Sequence, residues 1–69
     1  MNFRIFETTH NGRKFEIEED HPEVGAYLYV YEGTVCVNDC LQNDIETCKQ
    51  IAYEYYKIPI YNLREKKEN

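Results

Sequence analysis

The chain has 69 residues, 42% of them hydrophobic, and its 13 acidic and 8 basic side chains leave a net charge of −5. That length makes one domain, of which folding covers only roughly 60% of the unfolded surface, so stability is thin. The charge repels phosphate backbones and anionic bilayers, which argues against nucleic acid and membrane partners.

Residues 2–9 read as a strand and residues 13–19 as its partner, joined at Asn11-Gly12. Asn-Gly favours a two-residue type I′ turn, because both central residues need positive φ. That turn sets Phe6 opposite Ile17, Thr8 opposite Phe15 and Arg4 opposite Glu19. The other face carries Phe3, Ile5 and Glu7 opposite Glu18 and Glu16. Glu7 against Glu16 is tolerable only where water screens it, so the Phe6/Phe15/Ile17 side is the expected core face.

Residues 20–25 form a loop, since Pro22 removes a donor and Gly25 frees the backbone. Residues 26–31 and 34–38 are the expected second hairpin, with Glu32-Gly33 as its turn. In that register Val30 faces Val35 and Leu28 faces Val37, and all four join the core. Asn43 followed by Glu46 fits a capping box. From there Ile45, Cys48, Ile51, Ala52, Tyr55 and Tyr56 fall at helical spacing over about fourteen residues. Pro59 restricts Ile58 and ends the helix. Ile60, Tyr61 and Leu63 are expected to fold back, and residues 64–69 to fray as a polar tail. The predicted fold class is α+β: a four-stranded antiparallel sheet of two hairpins with one C-terminal helix packed on one face. Residues 1–63 make the domain.

The chain carries no constellation that reads as catalytic. Serine is absent, and Gly12, Gly25 and Gly33 each serve a separate turn, so no phosphate-cradling loop exists. Cys36, Cys40 and Cys48 are an odd count with neither close pairing nor nearby histidines, since His10 and His21 sit in distant loops. Reduced thiols, buried or half-buried, are expected, with no metal and no cofactor. Cys36 should face the tyrosine side and Cys48 the core. No apolar run approaches the ~20 residues that span a bilayer, and the first residues lack a signal peptide's pattern, so a cytoplasmic location is expected.

Tyr27, Tyr29 and Tyr31 alternate with Leu28 and Val30, so they project away from the helix. If the hairpins share one sheet, Phe3 and Ile5 project from that same side. An open aromatic face on so small a chain points to an interface made of Phe3, Ile5, Tyr27, Tyr29 and Tyr31. Its partner is another protein, a basic one being compatible with the net charge, or a second copy in a homodimer. A metal-binding or thiol protein is the remaining alternative.

Residues 25–31 (G-A-Y-L-Y-V-Y), then residues 39–44 (D-C-L-Q-N-D), an amphipathic helix and Pro59, resemble a group of small bacterial proteins of unknown function. Some members of that group are similar to immunity proteins of toxin systems. The resemblance spans residues 25–63 and implies no catalytic activity.

Overall fold

The computed structural model describes residues 3–66. Strands β1 (Ile5–His10), β2 (Arg13–Glu19), β3 (Ala26–Glu32) and β4 (Val35–Gln42) precede helix α1 (Ile45–Tyr56). A 3-10 turn (Ile60–Asn62) and the short strand β5 (Arg64–Glu65) follow. All strands pair antiparallel in the order β4-β3-β2-β1-β5, and α1 lies across one face of the sheet. The expected α+β class holds. No helix among the described residues is long and apolar enough to cross a membrane.

The first hairpin forms in the predicted register. Asn11 (φ 53°) and Gly12 (φ 79°) both take positive φ, as a type I′ turn requires. Phe6 pairs with Ile17 and Thr8 with Phe15. Arg4 and Glu19 hold each other through backbone and side chain, with a 3.1 Å ion pair.

The second hairpin departs from its predicted register. The turn residues are Gly33-Thr34, not Glu32-Gly33, because Glu32 pairs with Val35. Gly33 has φ 64° while Thr34 does not take positive φ, the pattern of a type II′ turn. A β-bulge then shifts the pairing: Tyr31 faces Cys36, Val30 faces Asn38, and Val37 is the extra residue. Val35 (61% exposed) and Val37 (46%) therefore stand outside the core they were expected to join. β4 also runs on to Gln42, through residues expected to lead out of the sheet.

Helix α1 has 12 residues, and its N-cap lies one position later than predicted. Asp44, not Asn43, is the N-cap, and its carboxylate accepts from the Thr47 amide (2.8 Å) and hydroxyl (2.7 Å). These bonds, the hydroxyl's first, hold the Asp44 carboxyl below its ordinary value. At the other end Lys57 turns left-handed (φ 62°). Its amide donates to Tyr53 O, the bond of an αL C-cap, and the Ile58 amide donates to Ala52 O, with the Ile58 side chain fully buried. A lysine there meets the Cβ strain of left-handed backbone that glycine escapes. Lys57→Gly is expected to stabilise the fold by about 0.5–1 kcal/mol. Thermal denaturation should show a midpoint about 5 °C higher.

The core lies between α1 and the sheet. Phe6, Phe15, Ile17, Leu28 and Val30 supply the sheet side, and Ile45, Cys48 and Ala52 the helix side. Ile58 and Leu63 close the open end, while Tyr55, Ile60 and Tyr61 remain exposed. Arg64 and Glu65, expected in the polar tail, instead pair with Glu7 and Phe6. Residue 2 of the predicted first strand and residues 67–69 of the predicted tail lie outside the described residues.

Candidate protein interface

The sheet face opposite α1 is organised by three cross-strand rows. β2 lies between β3 and β1, so the side chains of β2 separate the tyrosines from Ile5. The first row runs Leu41, Tyr27, Glu18, Ile5; the second runs Asp39, Tyr29, Glu16, Glu7; the third runs Cys36, Tyr31, Lys14, Thr9. The tyrosines form one column. The Tyr27 and Tyr29 rings stack at 5.8 Å with 15° between planes, and Tyr29 and Tyr31 lie 6.2 Å apart.

Carboxylates flank that column on both sides. Lys14 Nζ bridges Glu7 (3.4 Å) and Glu16 (3.6 Å), which relieves the like-charge pair foreseen between them. Among the described residues Glu18 has no such cation. A hydrogen bond with Glu16, burial and the charge of Glu16 push its carboxyl up to about 7. Burial, and then Glu18, also raise the Tyr29 phenol, while burial followed by Glu16 raises that of Tyr31. Across the column, exposed Asp39 has no ion pair among the described residues.

Of the five predicted interface residues, the fold brings Tyr27, Tyr29 and Tyr31 together. Ile5 shares their face but sits beyond Glu18. Phe3 lies apart, edge-on to the His21 ring at 5.0 Å and lining a groove with Arg4, Pro22 and Ile45. Sequence reasoning missed Leu41 and Asp39, which the bulge turns onto the tyrosine side. It also missed that Glu16 and Glu18 would sit beside the tyrosines, since only strand order decides that.

The thiols sit in three different settings. Cys36 is exposed beside Tyr31, and Cys40 is half-buried on the helix side. Cys48 is buried, with Sγ 3.5 Å from Ala26 O. Burial, then Cys40 and Asp44, push its thiol up to about 12, which suits packing rather than nucleophilic attack. Among the described residues no three His, Cys, Asp or Glu side chains converge as metal ligands. A scan against protein-family models matched none, and searches of curated proteins and of solved structures found no match.

Proposed function

We propose that the chain is a non-enzymatic protein-interaction module whose tyrosine-bearing face binds a basic partner. The supporting observation is the column of Tyr27, Tyr29 and Tyr31 set between Glu16 and Glu18 on one side and Asp39 on the other. Aromatic faces attract lysine and arginine through their quadrupole, by about 0.5–1 kcal/mol each at exposed sites. Adjacent carboxylates add charge-assisted hydrogen bonds to the same groups. The net charge of −5 steers such a partner toward the molecule. An immunity-like role, in which the partner is a basic toxin, is the form of this reading that the resemblance over residues 25–63 supports. A gene for a secreted toxin beside this one would strengthen it.

Titration of a short lysine-rich peptide tests the face. Glu18 gains its charge near pH 7, so affinity should rise several-fold from about pH 6 to pH 8. The same group acts oppositely on stability. Its folded pKa lies above the ordinary 4.5, so its contribution is complete below that value and is lost as pH climbs through about 7. Glu18→Gln should flatten the pH dependence of binding, and Tyr29→Ala should weaken binding at every pH. Affinity indifferent to pH, to Glu18→Gln and to Tyr29→Ala would remove the face from the reading. A concentration-dependent dimer that Tyr29→Lys dissociates would assign the face to self-association instead.

A further inference from the structure

The molecule has two unequal sheet edges. One is partly covered by the two-residue β5, opposite Phe6 and Glu7 of β1; the other is the eight-residue β4, whose outer side has no neighbouring strand among the described residues. Exposed edges are commonly guarded by lysine, proline or a bulge. β4 contains neither lysine nor proline, and its bulge lies toward the N-terminal end, at Val37. Beyond it, residues 38–42 pair without interruption with residues 26–30. That regular stretch borders a groove of about 460 Å³ between β4 and α1, walled by Cys40, Ile51, Tyr55 and Tyr56. The Asn38 side-chain amide (Nδ2) donates to the Tyr56 hydroxyl at 2.8 Å and fixes one wall.

Resting on the basic-partner reading above, we infer that residues 38–42 and this groove dock an extended segment of that partner as an added strand. The segment alternates apolar and basic side chains. Strand addition supplies main-chain hydrogen bonds, and the pleat sends alternate side chains to opposite faces of the sheet. Those on the helix side enter the groove over Cys40 and Ile51. Those on the other side reach Asp39, the exposed carboxylate without an ion pair among the described residues. A second copy of this chain is a poorer occupant. Paired antiparallel about Cys40, its β4 would bring Asn38 and Gln42, not apolar groups, toward Ile51, and it carries the same net charge of −5.

The experiment uses peptides alternating valine with lysine, alternating valine with glutamate, and with the valines and lysines in separate blocks. Binding is followed by amide NMR shifts and hydrogen exchange on the whole chain. The alternating valine–lysine peptide should bind best, shift residues 38–42 together with Ile51 and Tyr55, and slow exchange of alternate amides in residues 38–42. Asp39→Lys, at an exposed position, should weaken it about five- to tenfold. Equal binding of the blocked peptide, or shifts confined to Tyr27, Tyr29 and Tyr31, would each overturn edge docking while leaving the tyrosine-face reading standing. Affinity unchanged by Asp39→Lys would overturn edge docking and also remove Asp39 from the tyrosine-face site, leaving that face to the tyrosines, Glu16 and Glu18. Self-association of the free chain with shifts in residues 38–42 would overturn it in favour of a second copy. Failure of the lysine-rich peptide to bind anywhere, at any pH, would sink the basic-partner reading itself.

Discussion

Gly25→Ala is expected to cost about 3 kcal/mol, comparable with the whole stability of a chain this small. Gly25 is buried at φ +116°, where L side chains are strained. An added Cβ would overlap the Gln42 carbonyl oxygen and press on the Asn43 backbone, neither of which is a flexible side-chain end. The loop cannot simply shift. The Gly25 amide donates to His21 O and its carbonyl accepts from the Asp20 amide, both at 2.9 Å, which ties it to the end of β2. Alanine there pushes the β2–β3 loop off the junction of β4 and α1. Thermal melting should fall by about 15 °C or lose its cooperative transition. Gly12→Ala and Gly33→Ala meet no atom within 4 Å, so each should cost only about 1–2 kcal/mol from backbone strain. Three similar melting points would show that the close approach at Gln42 does not exist.

Leu28→Ala should cost about 3 kcal/mol, whereas Val37→Ala should cost under about 1 kcal/mol. Leu28 is 2% exposed and loses core packing, while Val37 is 46% exposed at the bulge. The contrast decides the register of the second hairpin. With Glu32-Gly33 as the turn, both residues would face each other in the core and both alanines would be costly. Denaturant titration with unchanged m-values separates the two arrangements.

The two hairpins were unequally legible in the sequence, and the reason is physical. Asn11-Gly12 admits few alternatives, because both residues carry positive φ in the turn they build. Glu32-Gly33-Thr34 offers two turns one residue apart, and Val35 and Val37 made the wrong one self-consistent. No residue type marks the bulge that absorbs Val37. The helix cap shows the same degeneracy: Asn43 and Asp44 are both good caps, and Thr47, offering amide and hydroxyl to Asp44, decides between them. The tyrosine column was legible because period-two alternation needs no partner strand to be known. Its acidic flanks were not, since Glu16 and Glu18 meet Tyr29 and Tyr27 only through the β2–β3 pairing across a six-residue loop. Arg64 and Glu65 likewise become a strand only because the turn after Pro59 delivers them to β1, and the Lys66 amide then donates to Ile5 O at 2.7 Å.

That last strand also sets how far any growth through this sheet can proceed. Among the described residues the border at that strand presents the two residues of β5 and the end of β1 beyond Glu7, a shorter and more broken template than the eight-residue β4 border. Whatever adds at β4, a foreign segment or another copy, finds among the described residues only this shorter template on the far side of the molecule. Growth through strand borders therefore favours a pair over a fibril.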